Sequence, residues 1–272
     1  AAGAATPLRL GVNSCQNYEQ GLYTAVQHMS REEIDLIAHL GDYIYEYGPT
    51  PGRPRLYNSG EVRTLEQYRA RYALHKSDAL LQLAHARCPW IVTWDDHEVD
   101  NNYVGSFGEN LMESEEQMRD RRAAAYQAWW EHQPVRVPRA RSWSDLSIVR
   151  GVDWGILARF WMLDSRQFRS DQACGDVFNA RVPCDGWADP ARTMLGAAQE
   201  RWLAQGLAAS RSRWQVIGNQ TMLAGVDSVP GAEVGLAMDS WSGYPAAKSR
   251  LLNSIAQSAR HRTVVLTGDN HA

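Results

Sequence analysis

Ile34-Asp35-Leu36-Ile37-Ala38-His39-Leu40 runs straight into Gly41-Asp42-Tyr43-Ile44-Tyr45. A short apolar run that stops at a glycine and an acid reads as a buried β-strand with polar chemistry at its carboxyl end. The same shape recurs on both sides. Leu8 to Val12 runs into Asn13-Ser14-Cys15, and Ile91 to Trp94 into Asp95-Asp96-His97. Gly155 to Leu163 runs into Asp164-Ser165-Arg166, Trp214 to Ile217 into Gly218-Asn219-Gln220, and Thr263 to Leu266 into Thr267-Gly268-Asp269-Asn270-His271. Helical patterns lie between them. Thr64 to Ala86 has apolar residues at helical spacing, with a break expected near His75 to Ser77. Ser114 to Trp130 opens on Ser114-Glu115-Glu116, an N-cap with an acidic first turn. Leu195 to Ala209 places Leu195, Ala198, Trp202 and Leu203 on one face, with Leu207 extending it and Gly206 interrupting. Strands alternating with helices imply βαβ units and a layered α/β architecture. Ligands bind beyond the carboxyl ends of such strands, where the polar clusters fall here. The loops Gly48 to Gly60 and Val135 to Asp145 read as surface insertions.

The 272 residues fit one large domain or two small ones. A chain that is 44% hydrophobic and 22% charged is globular, which excludes a disordered protein. No apolar run approaches the ~20 residues needed to cross a bilayer, so no transmembrane segment is expected. The net charge is −3 and the arginines are scattered, which argues against a nucleic-acid-binding module. The 11 tryptophans suit either a large aromatic core or a pocket wall. Cys174 and Cys184 lie in a turn-rich stretch whose length can close a disulfide. Cys88, before Pro89, reads as a buried, inert thiol. The opening Ala1-Ala2-Gly3-Ala4-Ala5-Thr6 reads as a flexible tail and a mature terminus left after export.

Each cluster has a functional and a bland interpretation. An aspartate just past a strand, as in Gly41-Asp42-x-x-Tyr45, can bridge two cations, and a tyrosine three residues on can return as a phenolate ligand. Otherwise the pair is a turn aspartate and a packed tyrosine. Adjacent carboxylates repel, so Asp95-Asp96 calls for a cation or strong donors nearby, unless the stretch is a solvated acidic loop. Asp95 and Asp96 point differently and are suited to different ions. His97 is either a general acid or a phosphate contact. The oxygens of Glu98, Asp100, Asn101 and Asn102 suit a Ca²⁺-type ion. Asp269 and His271 alternate in an extended segment and so face one way, or else form a capped turn and a surface histidine. Cys15 offers a thiolate to a metal, serves as a nucleophile, or is simply a small buried side chain. Asn219 completes a metal shell or contacts substrate. Arg166 clamps a phosphoryl group or pairs with a structural carboxylate. Tyr43 and Tyr47 read as packing residues, and His28, His39, His75, His85, His132 and His261 as structural or surface residues.

In order along the chain, Ser14-Cys15-Gln16, Gly41-Asp42-x-x-Tyr45, Trp94-Asp95-Asp96-His97-Glu98, Leu163-Asp164-Ser165-Arg166-Gln167 and Gly268-Asp269-x-His271 resemble the PhoD-like alkaline phosphatase/phosphodiesterase family. That family is a branch of the calcineurin-like and purple-acid-phosphatase metallophosphoesterases, and secreted phospholipase D-like enzymes share the pattern. The resemblance spans nearly the whole chain. It implies an α/β protein built as a β-sandwich flanked by helices, with a metal site at the strand ends and residues 1–272 forming one catalytic domain. It further implies hydrolysis of phosphate mono- or diesters by metal-activated hydroxide, with Fe³⁺ and Ca²⁺ as cofactors and export from the cell. Carried over, Cys15, Asp42 and Tyr45 bind iron with His271, while Asp42 bridges to a calcium site that includes Asp96 and Asp269. Asp95 and Asn219 are further ligands, and His97 stands near the leaving group. The family pattern continues past His271, so the domain is expected to be incomplete at its C-terminus, with the remainder bound as a second polypeptide. Two rivals remain: a cysteine hydrolase built on Cys15, and a metal- or phosphate-binding fragment without activity.

Overall fold

The computed structural model describes residues 6–109, 113–258 and 262–269. The chain divides into two compact units, one spanning Pro7–Ile148 and the other starting at Val149.

The first unit is built on three parallel strands, β1 (Leu10–Asn13), β2 (Leu36–His39) and β3 (Trp90–Val92), in the order β1-β2-β3. The register pairs Asn13 with His39 and His39 with Val92, so the three strands stop level with one another. The expected strands are therefore present, with ends shifted by one or two residues. Helix α1 (Thr24–Arg31) was not anticipated. The long helical pattern breaks as expected into α2 (Leu65–Lys76) and α3 (Ala79–Arg87). The break is chemical: Ser77 ends the first helix, and the Asp78 carboxylate accepts from the N–H groups of Leu80 and Leu81 to start the next. The fourth helix, α4 (Glu115–His132), opens with a reciprocal capping box between Ser114 and Gln117. Its Tyr126 ring stacks on Trp94 at 4.0 Å and 7°, while Trp129 meets Trp94 edge-on at 5.0 Å. All three rings are fully buried. Here the tryptophans serve as core. Cys88 is only partly buried, packed at the edge of that core.

The second unit holds β4 (Arg150–Trp154), β5 (Ala158–Met162), β7 (Trp214–Gly218) and β9 (Thr263–Leu266) in the order β4-β5-β7-β9. Only the β4–β5 pair is antiparallel. A separate antiparallel pair, β6 (Ala180–Val182) with β8 (Val234–Leu236), sits beside the Cys174–Cys184 disulfide. Helices α5 (Gly196–Ala209) and α6 (Pro245–Ser258) pack on each other through Leu203, Leu207, Ala247 and Leu251. Ala198, expected on the buried face of α5, is exposed. Gln199 is buried instead, because its amide both donates to and accepts from the Asp164 backbone. Gly206, which weakens the helix pattern, has a packing reason: a Cβ there would lie 2.3 Å from the Trp161 ring.

Candidate metal centre

The end of each parallel strand in the first unit is tied to its neighbour. The Cys15 N–H donates to the Gly41 carbonyl at 3.1 Å, and that of Gln16 to the Asp42 carbonyl at 3.0 Å. Cys15 and Asp42 both adopt positive φ, 55° and 56°, and Gly41 has φ 114°. These turns lift the chain out of the sheet directly after β1 and β2. Gly41 cannot be replaced without strain, since a Cβ would sit 2.4 Å from the Asp95 side chain.

The turns deliver a buried set of acids. Asp42, Asp95 and Asp96 are all 1% exposed or less. They offer carboxylate oxygens within 4.8 Å of one another, and Asp42, Asp96 and His97 do the same. Asp42 and Asp96 thus belong to two groups of donors, and Asp95 and Asp96 converge on Asp42 rather than diverging. The Tyr45 hydroxyl donates to Asp42 Oδ2 at 3.2 Å. Asp42 Oδ1 is buried and has no hydrogen-bond partner among the described residues. Burial drives the Asp42 carboxyl well above its usual range, and Asp96, Asp95 and Glu98 push it further against the pull of His97. Tyr45 is likewise raised, by burial first and then by Asp42 and Cys15. A site that penalises its own negative charges in this way fits a cation, whose charge would favour the ionised carboxylates and phenolate. Cys15 belongs to neither group of converging donors, although it is close enough to act on Tyr45.

His97 is held by a residue that sequence reasoning missed. Its Nδ1–H donates to Glu46 Oε2 at 2.8 Å, and Glu46 Oε1 accepts from the Asn101 N–H at 2.9 Å. Burial opposes charge on His97, but Glu46, Asp96 and Asp42 outweigh it and raise its pKa well above the ordinary value. The Tyr45 ring lies 4.2 Å from the imidazole, and the half-exposed Tyr47 meets it edge-on at 5.3 Å. The one signal for Glu46 was its place directly after Tyr45. Arg71, fully buried, fixes the same segment by donating to the carbonyls of Tyr45 and Tyr47. Two of the four residues expected to suit Ca²⁺, Glu98 and Asp100, have their oxygens engaged elsewhere. Glu98 accepts from three backbone N–H groups, and Asp100 pairs with Arg121 at 2.9 Å.

In the second unit, the carboxyl ends of β5, β7 and β9 carry Arg166, Asn219 and Asp269. The Asn219 N–H donates to Leu266 at 3.0 Å, and that of Gly268 to Gln220 at 2.7 Å. Arg166 is fully buried and its Nη1 pairs with Asp239 at 2.8 Å, a structural carboxylate, while its Nη2 stands 3.7 Å from Asp269. Asn219 is buried too, donating to the Thr221 carbonyl and accepting from the Trp241 indole at 3.0 Å. His271 and His261 lie outside the described residues, as do residues 1–5 of the N-terminal tail.

The class defined by this fold is an α/β protein whose strand ends gather buried carboxylates and a histidine at one place. The chain belongs to the PhoD-like phosphatase family, whose family model matches residues 10–272. It is 46% identical over 278 residues to alkaline phosphatase D of Bacillus subtilis (strain 168), covering 100% of this chain and 47% of that protein. A solved structure described as that of PhoD matches with a TM-score of 0.93 at 46% identity, over 100% of this chain and 53% of that one. The chain therefore spans about half the length of these relatives.

Proposed function

We propose that this chain carries the catalytic centre of a secreted, metal-dependent phosphoesterase. Its substrates are phosphate mono- and diesters, with phospholipid headgroups within reach of a phospholipase D-like activity, and its ions are Fe³⁺ and Ca²⁺. The observation that carries this is the buried, unpartnered Asp42 Oδ1 among carboxylates that need a cation. Cys15, Asp42 and Tyr45 are the donors suited to Fe³⁺, because thiolate and phenolate favour it. Asp95 and Asp96 supply hard oxygens suited to Ca²⁺. Asn219, Asp269 and His271 are proposed as further ligands, Arg166 as a phosphoryl contact, and residues 1–272 as one catalytic domain of the layered β-sandwich type. Cations bound at such a site lower the pKa of water and neutralise charge on phosphoryl oxygens.

The protein's own residues have two tasks. The carboxylates orient around the ions, and His97 holds a proton for the leaving-group oxygen. Glu46 fixes the imidazole through Nδ1, which leaves Nε2 as the nitrogen that can hand over that proton. Metal analysis, the visible spectrum and turnover of aryl phosphate mono- and diesters before and after chelation test the proposal together. Iron with calcium, a phenolate charge-transfer band and loss of turnover on chelation are expected. Full turnover in metal-free protein would sink it.

A second possibility is favoured by the chain covering 47% of its B. subtilis relative. In it the chain binds metal or phosphate but turns over substrate only with the remainder of a longer protein bound as a second polypeptide. Assaying the chain alone and with that remainder added separates the two.

A further inference from the structure

The backbone around the acidic cluster is organised by a residue that is itself acidic. Glu98 is 1% exposed. Its Oε2 accepts from the N–H groups of Asp42 at 3.0 Å and Asp95 at 2.8 Å, and its Oε1 accepts from that of Tyr43 at 2.7 Å. Asp42 and Tyr43 follow β2, whereas Asp95 follows β3. The ladder between these strands ends at His39 and Val92, with one further bond from the Thr93 N–H to the His39 carbonyl. Among the described residues the β2–β3 strand pairing extends no further, and Gly41 and Asp42 turn away through positive φ. Glu98 takes over where the sheet stops, one side chain gripping three amides from both loops.

The chemistry of the grip selects the residue type. Three N–H donors approach from two directions, so both ends of the side chain must accept. A carboxylate does so, whereas glutamine would turn an NH₂ group against a donor at one end. The choice has a cost, since a buried negative charge is added beside Asp42 and Asp95. Charge-assisted hydrogen bonds to backbone N–H are the strong kind that can offset it.

We infer that Glu98 is a positioning residue: it sets the distance between the Asp42 loop and the Asp95-Asp96 loop and does not itself bind an ion. The inference deepens the metal-centre proposal made above and rests on it. Ligand-supporting residues of this kind typically change metal affinity 10–100-fold when altered.

The test is Ca²⁺ binding by isothermal titration calorimetry to chelator-stripped wild type, Glu98→Gln and Asp96→Asn. Glu98→Gln is expected to bind with the same stoichiometry as wild type but roughly 10–100-fold more weakly, whereas Asp96→Asn loses binding equivalents. Unchanged affinity in Glu98→Gln, or loss of a binding equivalent there, overturns the positioning role. Should the variant fail to fold, hydrogen exchange in metal-free wild type decides. The amides of Asp42, Tyr43 and Asp95 are expected to be protected, and rapid exchange at them overturns the inference. Wild type that takes up no Ca²⁺ refutes the calcium assignment on its own, and the same exchange measurement then judges Glu98 separately.

Discussion

Glu46 and Glu98 share a chemistry at the residue scale: each spends both oxygens on N–H donors. For Glu46 the consequence is kinetic. Glu46→Gln can accept from only one of the Asn101 N–H and the His97 Nδ1–H, so the imidazole loses either its acceptor or the anchor that holds that acceptor in place. We expect turnover of alkyl phosphate esters, whose poor leaving groups need a proton, to fall about 100-fold or more. Turnover of p-nitrophenyl esters should change far less. A leaving-group series on the variant reads this directly, and an equal loss on both substrates would argue for a structural role. The opposite signal comes from His39, buried in β2 against the Trp90 ring. Burial, aided by His85, holds its pKa down to about 3, from 6.5 in the unfolded chain. Between those values only the unfolded state takes the proton, so stability is lost as pH falls. The loss amounts to about 2 kcal/mol at pH 5. Denaturant midpoints at pH 7.5 and 5 should differ by less in His39→Gln than in wild type.

Elements were legible where they repeat a simple pattern. The strand runs, the Ser114 cap and the break after Lys76 were all visible, because apolar runs and capping residues act locally. Strand β4 was not, because Arg150-Gly151-Val152-Asp153-Trp154 lies at the sheet edge with no buried residue and so carries no apolar run. The site was legible as a set of residue types at strand ends. Its wiring was not: nothing in Glu98-x-Asp100 distinguishes a ligand from a backbone acceptor, and Glu46 has no partner nearby in sequence. Gly206 makes the same point energetically. Helix propensity says that alanine there should stabilise α5 by ~1 kcal/mol. The Trp161 ring occupies the place of the methyl group, so Gly206→Ala is expected to destabilise by about 1–3 kcal/mol. Chemical denaturation of the variant settles which effect is larger.

For the whole molecule, the two compact units carry different safeguards. The small β6–β8 pair buries little, chiefly Ala173, Ala180 and Met238, and the Cys174–Cys184 bond closes the loop beside it. Replacing both cysteines by serine is expected to cost about 2–3 kcal/mol by the loop-entropy estimate. The loss should appear as proteolytic cleavage between 173 and 184, with the Pro7–Ile148 unit still resistant. That unit reports on itself through light. Trp94, locked flat on Tyr126 with Trp129 across its edge, is joined by a single peptide bond to Asp95. Rigid aromatic rings in close, asymmetric contact give strong near-ultraviolet circular dichroism, which vanishes when they tumble. The protein thus carries an optical gauge beside its acidic cluster, one that distinguishes a folded but ion-free centre from one whose supporting strand has melted.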